Sequence, residues 1–302
     1  MISLLISIVN YNSHEDTEKL IDFISTELNT KGFRVRFIVI DNGCKRNQEI
    51  FINHTKKRFN FVLTNQSIDF KNDSNYIVNT ENNGFGAANN VAIDYVNRND
   101  SYDFIWMLNS DLSVHVDCLS NLEKYMLDRR YNILGSVIIE DKHVVHGTVG
   151  IRGFRGYGAP SSLQLKDDIN QVDAISGTSM FFRTSILKKM RFDEDFFMYV
   201  EENDLCYRFS QQGIRSYVVQ SSLVFHQSGK TFGEKKALRW YYKVRNLLYF
   251  KRKNGSGNTL LILYLFLSTL KNHGLNKNHF RAYVVGVAHY VFKNMGKTDS
   301  DF

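Results

Sequence analysis

Proline is almost missing from this chain: Pro160 is the one example in 302 residues. Cysteine is scarce too, with Cys44, Cys118 and Cys206 scattered and no Cys-x-x-Cys pair. That usage excludes a disulfide framework, argues against a structural zinc site, and fits a reducing compartment. Long apolar runs are absent. Beyond the N-terminus the longest is Leu260 to Leu267, far below the roughly 20 residues that span a bilayer. The opening stretch Met1 to Val9 is apolar but has no basic leader and no small-residue cleavage site. It is expected to be a buried strand, not a signal peptide. Internal repeats and low-complexity tracts are lacking as well.

What is present is core-forming material. The chain is 43% hydrophobic and 14% aromatic, which excludes a disordered protein and suits one large domain or two modest ones. The net charge of +7 is unevenly placed. From Gln227 to Phe302 there are 14 Lys+Arg against 3 Asp+Glu, whereas residues 1–226 carry 24 against 28. A basic C-terminal quarter points to an anionic partner: nucleotide phosphates, an anionic lipid surface or nucleic acid. Its aromatic and basic residues form no nucleic-acid motif, so nucleic acid is not expected.

Short apolar runs alternate with longer mixed segments over the first 140 residues. Strands are expected at Ser3–Val9, Arg34–Ile40, Phe61–Leu63, Tyr76–Asn79, Phe104–Leu108 and Ile133–Ile139, and helices at His14–Leu28, Arg46–Phe59, Gly86–Arg98 and Val116–Arg129. Such alternation implies an α/β fold with a mostly parallel sheet covered on both faces. Ligands in such sheets bind beyond the carboxyl ends of strands. That rule selects Asn10-Tyr11-Asn12, Asp41-Asn42-Gly43 and Asn109-Ser110-Asp111. Residues Gly147 to Gln171, with five glycines and Pro160, read as a mobile loop. Ser179–Arg183 and Ser216–Val219 then read as strands, and Leu205–Gln212, Ala237–Lys253, Thr259–Lys271 and His279–Lys293 as helices.

Several segments can carry chemistry, and each has a plainer reading. Asp41 can accept hydrogen bonds from a base or ribose, or it can cap a turn. Asn82-Asn83-Gly84-Phe85-Gly86-Ala87-Ala88-Asn89 lets a backbone approach phosphate at a helix N-terminus, or it is a tight turn. Asp111 after a buried strand can hold Mg2+ or Mn2+ on a diphosphate, or cap the next helix. Glu201-Glu202-Asn203-Asp204 abuts Phe196-Phe197-Met198-Tyr199-Val200. Acids are favourable in a first helical turn. Adjacent carboxylates beside aromatics also raise one another's proton affinity, which suits a general base. His226 can complete a metal site begun by Asp111, or be structural. Lys243 and Arg245 can neutralise a leaving diphosphate, or line a solvated helix face.

In order and spacing these stretches resemble the family 2 glycosyltransferases, most closely the bacterial rhamnosyltransferase-like branch. The resemblance runs through Ile8-Val9-Asn10-Tyr11-Asn12, Val39-Ile40-Asp41-Asn42-Gly43, Asn82 to Asn90, Leu108-Asn109-Ser110-Asp111 and Ser176-Gly177-Thr178-Ser179-Met180. It continues through Phe192 to Arg208, Val224-Phe225-His226-Gln227-Ser228-Gly229 and Tyr241-Tyr242-Lys243-Val244-Arg245-Asn246, and covers residues 2 to about 253.

The resemblance implies a GT-A fold. Residues 1–226 would form the catalytic domain, with a nucleotide-sugar half at 1–112 and an acceptor half at 113–226, followed by a helical basic region at 227–302. It implies that Asn10, Tyr11, Asp41, Asn82, Gly84, Asn89, Lys243 and Arg245 hold the nucleotide-sugar, and that Gly177, Thr178 and Asp204 face the acceptor. Asn109-Ser110-Asp111 falls at the metal-binding Asp-x-Asp position, and His226 joins that site. Glu202 stands where the family's general base is usually Asp, and Glu201 stays a second candidate for the base. Asn109 replaces the first acid of Asp-x-Asp, leaving Asp111 most of the metal contact.

The implied chemistry is metal-dependent inverting transfer onto a glycan or lipid-linked glycan in bacterial surface polysaccharide synthesis. The favoured donor is dTDP-rhamnose, with UDP-galactose, UDP-galactofuranose or a UDP-N-acetylhexosamine next; a nucleotidyltransferase is the rival class. The expected setting is cytoplasmic, with the basic C-terminal helices on an anionic membrane face or in a homo-oligomer.

Overall fold

The computed structural model describes residues 1–43, 45–59, 61–64, 75–98, 101–140, 143–144, 148–149, 167–226, 236–255, 259–274 and 276–302. The first half runs β1 (Ile2–Asn10), α1 (His14–Thr26), β2 (Phe33–Asp41), α2 (Lys45–Phe59), β3 (Phe61–Thr64), β4 (Asn75–Asn79), α3 (Phe85–Arg98), β5 (Phe104–Asn109), β6 (Leu112–Val114) and α4 (Cys118–Met126). The second half runs β7 (Ile133–Glu140), β8 (His143–Val144), β9 (Thr148–Val149), β10 (Ile169–Val172), β11 (Ala174–Ile175), β12 (Ser179–Arg183), α5 (Glu201–Gln211) and β13 (Ser216–His226). Three helices follow: α6 (Lys236–Lys253), α7 (Thr259–His273) and α8 (Lys277–Val291).

The central sheet has the order β10-β13-β7-β12-β5-β1-β2-β4-β3. From β5 to β3 every pair is parallel. The parallel register therefore covers the N-terminal part of the sheet. Beyond it β12 runs antiparallel between β5 and β7, while β13 returns parallel to β7. The side chains of β1 alternate between two cores, as period-2 geometry requires. Leu4, Ile6 and Ile8 join α1 and α4 on one face, and Leu5 joins α3 and α5 on the other. All five residues Phe104 to Leu108 of β5 are buried, which fits a strand covered on both faces.

The structure sharpens three element boundaries. The strand expected at Ser216–Val219 continues to His226, past a register shift between Val219 and Leu223. The helix expected at Leu205 starts at Glu201, so Glu201, Glu202 and Asp204 occupy its first turn. Within the expected loop Gly147 to Gln171, Thr148–Val149 and Ile169–Val172 are strands, and residues 150–166 lie outside the described residues.

Candidate active site

Parallel pairing sets Asn10 beside Asp41 and Asn109 beside Val9, so the selected strand ends gather at one edge of the sheet. The Asn10 amide donates to Asp41 Oδ1 at 3.0 Å, and the Gly43 backbone N–H adds a second bond at 3.0 Å. The Asn10 side-chain oxygen in turn accepts from the Ser13 backbone at 3.2 Å and from the Thr17 hydroxyl at 2.9 Å. Asn10 thus fixes the first turn of the site and aims Asp41. The second oxygen of Asp41, Oδ2, is buried with no hydrogen-bond partner among the described residues. Burial pushes the Asp41 carboxyl up, against the bonds from Gly43 and Asn10. A buried acceptor without a donor is costly, and a ligand donor would satisfy it.

Asp111 sits in the turn between β5 and β6. Strand β6 pairs antiparallel with the end of β13, and Leu112 lies opposite His226. This brings Asp111 Oδ1 to 3.3 Å from His226 Nε2. The parallel register of β13 and β7 sets His226 beside Glu140, and Glu140 Oε1 lies 2.8 Å from His226 Nδ1. Burial opposes charge on the ring, but Asp111 and then Glu140 outweigh it and raise the imidazole pKa. Among the described residues no group of three or more His, Cys, Asp or Glu forms a ready-made metal cage.

The donor set nevertheless fits a divalent ion. A carboxylate and an imidazole nitrogen face each other, with a carboxylate on the far ring nitrogen to fix the tautomer. Asn109, expected as a weaker neighbour, lies two residues before Asp111, and its backbone N–H donates to the Thr178 carbonyl at 3.2 Å. The Ser110 hydroxyl is 2.7 Å from that of Ser13.

The acid pair stands at the N-terminus of α5, behind a distorted segment. Phe197, Tyr199 and Val200 have φ of 61°, 68° and 77°, a left-handed region that is unfavourable for non-glycine residues and most of all for a β-branched one. Glu201 is buried and its Oε2 has no hydrogen-bond partner among the described residues. Burial, then Glu202, pushes the Glu201 carboxyl well above its ordinary range. Glu202 is partly exposed. Burial raises it too, but the Lys243 ammonium and backbone bonds pull it back. Both carboxyls are therefore raised, Glu201 more than Glu202. Lys243, itself lowered by burial and by Arg239, is drawn back up by Glu202 and Glu140. It connects the acid pair electrostatically to the His226 cluster.

The distorted segment is tied to α6. The Asn246 amide donates to the carbonyls of Phe196, Met198 and Tyr199 at 2.8, 2.7 and 2.8 Å. Arg245 donates to the carbonyls of Phe196 at 3.0 Å and Gly296 at 2.7 Å, and its Nε bonds Asn246 Oδ1 at 2.9 Å.

Two of the expected residues are enclosed by protein. Arg245, expected at the leaving diphosphate, is 0% exposed, and its guanidinium is committed to backbone carbonyls and Asn246. Asp204, expected to face the acceptor, is 0% exposed and accepts from Arg208 at 2.7 Å and Lys253 at 2.9 Å. Its Oδ2 ties α5 to α6, while Oδ1 is buried with no hydrogen-bond partner among the described residues.

The remaining expected residues occupy the same edge or support it. Gly177 packs near the Glu202 Cβ, and Thr178 hydrogen-bonds Ser176. Asn82 accepts from the Gly84 backbone at 3.2 Å, closing the turn into α3. Asn89 donates to Phe85 O at 3.1 Å and leaves its buried Oδ1 without a partner among the described residues. Tyr11 is exposed.

Glu140 and Asn246 escaped sequence reasoning. Glu140 ends the apolar strand Ile133–Glu140, so the strand-end rule would have found it. A cavity of about 210 Å³ lined by Val172, Tyr207, Arg215 and Ser216 lies at the other end of β13 and takes no part in this cluster.

A parallel N-terminal half, an antiparallel β12, and an aspartate in the turn after β5 together define a GT-A fold. The chain belongs to Glycosyl transferase family 2, whose model matches residues 5–190, and the model of Glycosyl transferase family group 2 matches residues 104–292.

The chain is similar to the low-salt glycan biosynthesis hexosyltransferase Agl10 of Haloferax volcanii. The two are 26% identical over 220 residues, which is 70% of this chain and 62% of Agl10. The match thus spans less than two thirds of that relative. It is also 29% identical to the rhamnosyltransferase WbbL of Escherichia coli K12 over 191 residues, 56% of this chain and 71% of WbbL. Among solved structures it resembles the mannosyltransferase PcManGT from Pyrobaculum calidifontis in complex with GDP-Man and Mn2+. The TM-score is 0.57 at 12% identity, over 96% of this chain and 75% of that one. At that identity the likeness concerns the fold alone.

Proposed function

We propose that this chain transfers a sugar, with inversion, from a nucleotide-diphosphate donor to a hydroxyl of a glycan or lipid-linked glycan in surface polysaccharide synthesis. The observation that carries the reading is the convergence of Asp111, His226 and Glu140 at the carboxyl edge of the sheet, where Thr178 bonds Asn109 and Gly177 packs near Glu202. The orphaned Asp41 Oδ2 nearby suits a donor group on the base or ribose. dTDP-rhamnose is the first choice of donor, supported by the similarity to WbbL, and UDP-sugars come next.

Asp111 and His226 would hold Mg2+ or Mn2+, which supplies positive charge to the leaving diphosphate. Glu140 keeps the His226 ring oriented with Nε2 toward Asp111. Glu202 takes the proton of the acceptor hydroxyl as its oxygen bonds the anomeric carbon, while the bond from that carbon to the diphosphate oxygen breaks. Lys243 adds charge on the leaving-group side. The setting is the cytoplasm, where nucleotide-sugars are made. A screen of nucleotide-sugars for binding or slow hydrolysis with Mn2+ tests the reading. Saturable binding of one donor supports it, and no response to any donor removes it.

A further inference from the structure

Helices α7 and α8 are apolar on two faces each, although each has one face packed. In α7, Leu261, Leu265 and Thr269 are buried against the C-terminal core. Leu260, Leu263 and Leu267 point the other way, 67%, 54% and 54% exposed. At about 100° per residue these three share one stripe. In α8, Ala282, Tyr283, Gly286 and Tyr290 face inward. A Cβ on Gly286 would lie 3.1 Å from Tyr241 O, so that face is pressed against α6. Phe280, Val284 and Val291 form a second exposed stripe. The Phe266 ring of α7 meets Phe280 and Tyr283 of α8 at 6.3 and 5.8 Å, which brings the two helices together beside their exposed stripes. The Phe292 side chain follows, 81% exposed.

The charges carried by the two helices have one sign. Residues 259–297 contain Lys271, Lys277, Arg281, Lys293 and Lys297 and no Asp or Glu. Among the described residues no helix is long and apolar enough to cross a membrane. An apolar stripe whose own helices carry only cations fits the interface of an anionic bilayer, where aliphatic side chains enter the headgroup boundary and lysines meet phosphates. It suits a second copy less well: in a two-fold contact between these helices, Lys271, Lys277 and Arg281 of one copy would meet helices that carry no acid.

We infer that the exposed face of α7 and α8 docks the protein on an anionic lipid bilayer, with Leu263, Leu267 and Val284 entering the interface and Lys271, Lys277 and Arg281 binding headgroup phosphates. The inference stands on this face alone and does not depend on the catalytic reading.

The test is co-sedimentation of the full chain with vesicles of equal parts phosphatidylglycerol and phosphatidylcholine, beside vesicles of phosphatidylcholine alone. Two variants accompany it: Leu263→Asp with Leu267→Asp, and Lys271→Glu with Lys277→Glu and Arg281→Glu. All five positions are exposed, so both variants should keep the wild-type thermal midpoint. The wild type should sediment with anionic vesicles and remain largely free of neutral ones. The leucine variant should lose binding. The charge variant should lose at least about fivefold per cation reversed, on the order of a hundredfold or more for three. The inference is overturned if the wild type stays in the supernatant with anionic vesicles, if either variant binds as the wild type does, or if the wild type is a dimer in ultracentrifugation that Leu263→Asp dissociates.

Discussion

The Phe197 carbonyl fills the place where a side chain on Gly84 would begin. Gly84 has φ of +100°, and a Cβ built there would also lie 2.7 Å from Phe197 Cα. The next residue, Phe85, donates its backbone N–H to the same carbonyl at 2.9 Å. The turn entering α3 and the segment before the acid pair are therefore one unit. Gly84→Ala adds the left-handed backbone penalty of about 1–2 kcal/mol and an overlap with a segment that α6 holds in place. A lowered thermal midpoint together with lost turnover is expected. A variant with the wild-type midpoint would mean that the two segments are not locked.

Asn246 holds that segment in its unfavourable backbone. Asn246→Ala takes the side-chain donor from the Met198 and Tyr199 carbonyls, while Phe196 O keeps Arg245. The stability cost should be about 1–3 kcal/mol. Displacing Glu202 by even a fraction of its length should lower kcat up to about a hundredfold, with donor KM little changed because Asp111 and His226 sit on other strands. A rise in donor KM at constant kcat would instead place Asn246 in donor binding.

The two glutamates should separate by substitution. Glu202→Gln should keep nucleotide binding and lose turnover by about 100-fold to 10,000-fold. Glu201→Gln should retain most activity. A carboxyl raised in the folded state favours folding at pH below its unfolded value and loses that contribution as pH rises through the folded value. Glu201→Gln should therefore be as stable as the wild type or more stable above neutral pH, in denaturant titrations across pH.

The pH dependence of turnover follows from Glu202 and Lys243. Burial raises the Glu202 carboxyl and Lys243 lowers it. The acid limb of kcat should fall above the ordinary glutamate range, since the base is lost as pH drops through its raised value. Lys243→Met removes the opposing charge and should move that limb to higher pH. A limb that stays fixed would separate Lys243 from the base.

Glu140 holds His226 by the ring nitrogen that faces away from Asp111. Glu140→Gln should weaken Mn2+ affinity about 10- to 100-fold, measured by calorimetry in the presence of nucleoside diphosphate. Unchanged affinity would make the 2.8 Å contact incidental.

Much of the fold was legible because local pattern and global topology agree. Buried β-rich runs such as Phe104 to Leu108 became central strands, and the strand-end rule picked out Asn10, Asp41 and Asn109 before any register was known. Illegible were the partners chosen by long-range pairing. Glu140 meets His226 through β7 and β13 running parallel, 86 residues apart in sequence. Arg245 and Asp204 looked like ligand-facing charges, yet they are buried and bonded within the protein. A sequence shows that a charge exists near a site, but which way its helix turns depends on what packs beneath. In α6, Val244 and Leu248 are buried together with Arg245 and Asn246, so no simple amphipathic stripe marks the inward face.

The most direct measurement combines product and variant. Wild type, Asp111→Ala and Glu202→Gln are incubated with the donor found in the screen, its acceptor and Mn2+, and the released nucleotide is identified. The expected result is nucleoside diphosphate from the wild type, metal-dependent nucleotide binding retained in Glu202→Gln without turnover, and that binding lost in Asp111→Ala. Release of pyrophosphate, or near-normal turnover in Glu202→Gln, would contradict it.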